Sequence, residues 1–160
     1  MHPNLKAFLD MLAWAELGPS LLAESANGYN LLVGSIPGRP KFFYDYSDHP
    51  RTVVTLYNRK GKVVGHSSAA GRYQILMRYY DAYKKLLKLG GFWPEDQDAI
   101  AIRMIKEQGA YGAVRQGDIV AAIDAVKNIW ASLPGAGYKQ PEHNLTGLLI
   151  AYRAAGGIVA

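Results

Sequence analysis

Leu5, Phe8, Leu9 and Leu12 recur at i, i+3, i+4 and i+7, a spacing that predicts an amphipathic helix over residues 4–15. From about 27 to 66 the texture changes to Gly, Pro, Tyr and β-branched residues, with Asn27-Gly28 and Pro37-Gly38 as turn signals. Short strands are predicted at 29–33, 42–46, 53–57 and 62–65, the last two joined by the loop Asn58-Arg59-Lys60-Gly61. Helical patterning returns at Ser68, an N-cap candidate, and runs to Gly90-Gly91, with Tyr73, Leu76, Met77, Tyr80, Tyr83 and Leu87 as its apolar stripe. Pro94 ahead of Glu95-Asp96 opens a further helix to about Gln108. Another follows Gly117-Asp118, carries Ile119, Ile123, Val126 and Trp130 on one face, and is closed by Leu133-Pro134-Gly135-Ala136-Gly137. The last helix covers roughly 141–155, with Leu145, Leu148, Leu149 and Tyr152 on its apolar side.

A helix, a strand cluster and then several helices predict an α+β fold, mostly helical, with a small antiparallel β-lobe. A cleft between that lobe and the helices is the natural ligand site. The 160 residues fit one domain, with the β-lobe at about 27–66 inserted between helix 4–15 and a helical bundle over 68–156.

Continuing the first apolar stripe by four residues lands on Glu16, beside Trp14 and just before Gly18. A carboxyl on the core side of a helix end is partly desolvated, which disfavours its charged form and raises its pKa. A general acid working near neutral pH needs that shift. The plain alternative is a frayed helix end with Glu16 turned to solvent.

Composition narrows the chemistry. No cysteine is present, which excludes disulfides, a thiol nucleophile and Cys-based zinc sites. His2, His49, His66 and His143 are far apart and lack metal-ligand spacing, so no metal and no cofactor is expected. A net charge of +5 favours an anionic partner, but the cations are scattered, with no basic arm or Arg-rich helix, so nucleic acid is not expected. No apolar window approaches the roughly 20 residues of a spanning helix, and the N-terminus lacks the pattern of a signal peptide. Eleven Tyr and three Trp supply flat rings of the kind that sugar-binding sites use, although most such rings are core.

Gly65-His66-Ser67-Ser68-Ala69 misses the final Gly of a nucleophile elbow, which argues against a serine hydrolase. The glycines of 133–138 lack the spacing of a phosphate loop. Glycoside cleavage remains, using one acid of raised pKa and often a second carboxylate. Asp45 and Asp48 are candidates for the second, or simply turn formers before His49-Pro50. Gly71-Arg72-Tyr73-Gln74 presents a cation, a ring and an amide suited to a sugar, or a helix start with a core Tyr.

Four collinear segments give the chain a specific likeness: KAFLDMLAW from Lys6 to Trp14 with Glu16, DYSDHPR from Asp45 to Arg51, AGRYQI from Ala70 to Ile75, and NIWASLPGAGY from Asn128 to Tyr138. Together they resemble the bacteriophage lambda-type endolysins, a family of phage lysozyme-like lytic transglycosylases. The resemblance implies a lysozyme-like α+β fold and cleavage of the β-1,4 bond between N-acetylmuramic acid and N-acetylglucosamine. It places the acid–base role on Glu16, which would protonate the glycosidic oxygen and then deprotonate the C6 hydroxyl, leaving a 1,6-anhydro end. Tyr46, Ser47, Arg72, Tyr73, Gln74 and Tyr138 would line the cleft, with Asp45 and Asp48 structural or substrate-orienting. The sequence departs from the family pattern in carrying Ala15 and Leu17 where Ser and Gly flank the Glu, which removes a neighbouring hydroxyl.

The partners implied are peptidoglycan glycan strands and a separate holin-type membrane-permeabilising protein, with no stable membrane association and a monomeric enzyme. The protein would wait in the host cytoplasm until lysis and then act in the periplasm on the wall. Two other readings stay open: a hydrolytic N-acetylmuramidase using Asp45 or Asp48 as second carboxylate, and a non-catalytic basic module that binds cell wall or nucleic acid.

Overall fold

The computed structural model describes residues 1–137 and 142–160. Its regular elements are α1 (Pro3–Glu24), β1 (Val54–Tyr57), β2 (Val63–Ser67), α2 (Met77–Leu87), α3 (Pro94–Glu107), α4 (Tyr111–Gln116), α5 (Ile119–Val126) and α6 (Leu145–Ala154). The chain divides into two compact units, one of Met1–Glu16 with Ala101–Ala160, the other of Leu17–Ile100.

In the first unit the predicted stripe is buried: Leu5, Phe8, Leu9 and Leu12 are all in the core, joined by Ala7, Met11 and Ala13. Asn4 is buried beside them and satisfied, its amide donating to the carbonyls of Arg115 and Ile158 and its oxygen accepting from the Ile158 N–H. The same carbonyl of Ile158 explains Gly117, which closes α4 at φ 82°, because a Cβ there would run into it. Helix α4 escaped prediction because six residues with an internal Gly112 carry too little periodicity. Asp118 caps α5 by accepting from the Ala121 N–H, and Asn144 caps α6 by accepting from the Gly147 N–H. The last helix therefore starts four residues later than its predicted start.

Helix α1 runs eight residues beyond Glu16, interrupted at Gly18, whose φ of 78° and ψ of 161° break the helical path. Pro19 directly after the break can restart a helix, since its missing N–H lies in a first turn.

In the second unit β1 and β2 pair antiparallel, Val54 against Ser67 through Tyr57 against Val63. Their predicted hairpin loop forms, with the Asn58 side chain accepting from the Lys60 and Lys62 N–H groups. The strands expected at 29–33 and 42–46 shrink to isolated bridges, Leu31 with Phe42 and Leu32 with Ala70. Gly34, Pro37, Gly38 and Pro40 interrupt the pairing that longer strands would need. The helix expected from Ser68 begins only at Met77, because Gly71 and Gln74 turn the chain at φ 77° and 50°. Ser68 nevertheless serves that helix, its Oγ accepting from the Met77 N–H at 3.1 Å.

Candidate active site

Glu16 ends the part of α1 that belongs to the first unit, one turn beyond the buried Leu12. Its carboxyl is met by Ser132, far along the chain, whose Oγ–H donates to Oε1 at 2.5 Å and whose backbone N–H donates as well. Burial pushes the Glu16 carboxyl above its ordinary value, and the two Ser132 donors pull partly the other way. The desolvation expected from the sequence is present. The hydroxyl that meets the carboxyl is that of Ser132.

Ser132 is placed by the chain around it. After α5, backbone turns from Val126 to Ile129 and from Trp130 to Leu133 carry the chain round, anchored by Trp130 and Leu133 in the core. The Ser132 carbonyl accepts from the His143 N–H at 2.9 Å. His143 Nε2 in turn donates to the Ala15 carbonyl at 3.0 Å, and its ring lies 4.7 Å from that of Trp14. Glu142 accepts from the N–H groups of Gly135 and Gly137, closing the loop on itself.

Asp45 and Asp48 have the opposite character, and both belong to the second unit. Asp45 is exposed, and hydrogen bonds from the Ser47 hydroxyl and from the Ser47 N–H, the latter at 2.8 Å, hold its pKa below the ordinary value. Asp48 is paired with Arg51 at 2.6 Å and with Lys84 at 3.4 Å, and the Arg51 guanidinium holds its carboxyl far below the usual range. Neither is a proton donor at neutral pH. Asp45 and Ser47 form the turn that the sequence allowed as an alternative.

Arg72 and Tyr73 are each only 2% exposed. Arg72 donates to the Asn27 carbonyl at 2.6 Å, and its guanidinium lies over the Tyr29 ring. The Tyr73 and Tyr29 hydroxyls both donate to Asp98 Oδ1, at 2.6 and 2.9 Å. Burial and the Asp98 charge push Tyr29 up to about 12. Gln97, fully buried, accepts from the Arg72 N–H and donates to the carbonyls of Tyr29 and Phe92. The AGRYQI segment thus reaches inward. Gln74 bonds back to the Gly71 carbonyl.

Tyr46 is half-buried and stacks on Trp93, ring centroids 5.4 Å apart at 28°. Trp93 is 47% exposed, so the pair offers ring surface to solvent. Tyr138 lies outside the described residues. Sequence reasoning missed Ser132, His143, Gln97 and Asp98. Only the NIWASLPGAGY likeness brought Ser132 near notice, and it did so without a role.

Among the described residues no group of three or more His, Asp or Glu side chains could hold a metal ion, and no helix is long and apolar enough to cross a membrane.

Comparison with known proteins identifies the family. A family model described as Endolysin matches residues 6–159. The endolysin of Escherichia phage lambda is 51% identical over 155 residues, covering 96% of this chain and 92% of that protein. The endolysin of Escherichia phage P2 is 44% identical over 162 residues, covering 99% and 96%. Bacteriophage lambda lysozyme, solved in complex with a chitohexasaccharide, superposes with a TM-score of 0.88 at 48% identity, over 100% of this chain and 98% of that one. A second structure of the lambda lysozyme gives 0.84 at 47% identity, over the same shares. The fold is that of lambda lysozyme, α+β with a small antiparallel sheet, and the chain belongs to the endolysin family.

Proposed function

We propose that this endolysin cleaves the β-1,4 bond between N-acetylmuramic acid and N-acetylglucosamine in peptidoglycan by lytic transglycosylation, with Glu16 as the acid and then the base. The observation that carries the reading is the contrast among the carboxyls. Glu16 is kept protonatable by burial, while Asp45 and Asp48 are held ionised by their partners. One carboxyl that can exist in both forms suffices for a reaction that consumes no water.

Glu16 donates its proton to the glycosidic oxygen as the bond to C1 breaks. The carboxylate so formed takes the proton of the muramic acid C6 hydroxyl, and O6 closes on C1 to give a 1,6-anhydro end. The proton returns to the carboxyl, so the enzyme is regenerated and no cofactor is required. Substrate of this kind is consistent with the lambda lysozyme having been solved on a chitohexasaccharide, a chain of β-1,4-linked amino sugars. The Tyr46–Trp93 pair supplies an apolar ring face for a sugar, and Ser47, Gln74 and Tyr138 are the further contacts that the family resemblance implies. Arg72 and Tyr73 act from behind, fixing the turn that carries Gln74. The enzyme works as a monomer and reaches the wall when a separate membrane-permeabilising protein opens the way.

Mass spectrometry of fragments released from purified peptidoglycan, before and after borohydride reduction, tests the reaction type. Fragments one water lighter than hydrolysis products, and inert to borohydride, are expected. Reducible ends would replace this reading with a hydrolytic muramidase, and no fragments from folded protein would leave a wall-binding module.

A further inference from the structure

We propose that Ser132 is a positioning residue for Glu16, fixing the carboxyl through its Oγ–H and backbone N–H so that it can alternate between acid and base without reorienting. The inference rests on the acid–base reading of Glu16 and deepens it.

The geometry is specific. Ser132 Oγ stands 2.5 Å from Glu16 Oε1, within the range of a hydrogen bond to an ionised acceptor. A hydroxyl serves both states of a carboxyl through one atom: it donates to the carboxylate and can accept from the acid. The Ser132 N–H can only donate, so it favours the carboxylate. A buried carboxyl without such donors is a reluctant acid, because the carboxylate it leaves on giving up its proton carries a desolvation cost that nothing repays. With them, both halves of the cycle are accessible from one side-chain orientation.

Ser132 is itself held. Its carbonyl accepts from the His143 N–H, and His143 is tied through Nε2 to the Ala15 carbonyl, the residue before Glu16. The donor and the carboxyl it serves are thereby fastened to each other by backbone as well as side chain. No charged group acts on Glu16 among the described residues: His143 turns its ring to Ala15 and Trp14, and Glu142 to the N–H groups of Gly135 and Gly137. Ser132 is therefore the polar group that tunes this carboxyl against its burial.

Ser132→Ala, Ser132→Thr and Glu16→Gln, measured as fragment release from purified peptidoglycan across a pH series, test the role. Ser132→Ala is expected to lower kcat by about tenfold to a hundredfold, the worth of one hydrogen bond to a charged group, with KM within about twofold. The alkaline limb of its rate profile should move to higher pH, since the carboxylate loses a donor while its burial stays. Ser132→Thr keeps the hydroxyl and should restore both the rate and the limb. A wild-type rate and profile in Ser132→Ala would overturn the proposal, as would a rate loss that leaves the limb in place. Glu16→Gln separates the two claims. If it is active, the acid–base reading falls and the positioning role with it. If it is inactive while Ser132→Ala behaves as wild type, only the positioning role falls.

Discussion

The neighbourhoods of Glu16 and Asp48 treat the same chemical group in opposite ways. Glu16 is partly enclosed near the break in α1, has no cation acting on it among the described residues, and is pushed toward its neutral form with two donors from Ser132 as partial relief. Asp48 sits in an exposed network, bonded to Arg51 and Lys84, while Arg51 also binds Asp81 at 2.6 Å. That network keeps Asp48 charged. The first environment raises the pKa of its carboxyl and the second lowers it. Burial without countercharge favours the neutral carboxyl, and countercharge without burial favours the charged one.

The largest effect expected from breaking this contrast is at Glu16. Glu16→Gln should lower fragment release by about a thousandfold, since general acid–base catalysis contributes roughly 10²–10⁴ and no second carboxyl acts on it among the described residues. Folding should not suffer. A carboxyl whose folded pKa is raised binds its proton more tightly in the folded state, so its favourable contribution is complete below the unfolded value of 4.5 and is lost as pH rises through the folded one. At pH 7 Glu16 therefore costs stability, and Glu16→Gln should melt no lower than the parent in calorimetry. A mutant that is inactive because it is unfolded would remove the contrast.

Gln97 sharpens the comparison from the other side, being fully buried but never charged. Its amide makes three hydrogen bonds to the backbone at Arg72, Tyr29 and Phe92. Gln97→Met fills a similar volume but leaves an N–H and carbonyls unpaired, which should cost about 3 kcal/mol in urea unfolding. A cost below about 1 kcal/mol, the net worth of a single ordinary hydrogen bond, would mean that the Gly71–Gln74 turn is held by something else.

What could be read in the sequence follows the same division. The stripe Leu5, Phe8, Leu9, Leu12 and the acid that continues it were legible because periodicity and burial are local properties. Pro94 and the acids behind it placed α3 for the same reason. Ser132 was not legible, because its meaning lies in a contact with a residue 116 positions away. Arg72 and Tyr73 carry polar groups that suit a sugar, yet their partners are Asn27 and Asp98, and composition cannot say which way a side chain faces. Ser68 was recognised as a helix cap but assigned to the wrong turn, since its hydroxyl reaches across nine residues to Met77.

A smaller effect is expected at His49, which borders the exposed network yet is buried. Its Nε2–H donates to the Ile75 carbonyl and its Nδ1 accepts from the Arg51 N–H, so both nitrogens are committed in the neutral form. Burial lowers its pKa, with the Arg51 charge in the same direction and Asp48 and Asp81 opposing. The unfolded chain then binds the proton more readily. Stability is complete above the unfolded value of 6.5 and falls as pH drops below it, by at most about 1.4 kcal/mol per pH unit for one proton. His49→Gln should flatten urea-derived stability across that range, and an unchanged slope would assign it to another group.

The smallest effect is expected at Asp48. Asp48→Asn removes the charge from a side chain that is 41% exposed, so solvent screening limits the stability loss to at most about 1 kcal/mol despite the short contacts. The sign is fixed by the lowered pKa: the contribution is present above the unfolded value of 3.8 and disappears as pH falls below it. Because the pairs are exposed, the difference between Asp48→Asn and the parent should shrink further in molar salt, where charges are screened within about 3 Å. Fragment release should stay within about threefold of the parent, far from the general acid–base range expected for Glu16→Gln. A loss matching that of Glu16→Gln in folded Asp48→Asn would make the two carboxyls partners, and the opposite construction of their surroundings would then be the division of labour of a two-carboxylate hydrolase, with Glu16 as the acid and Asp48 as the permanent anion.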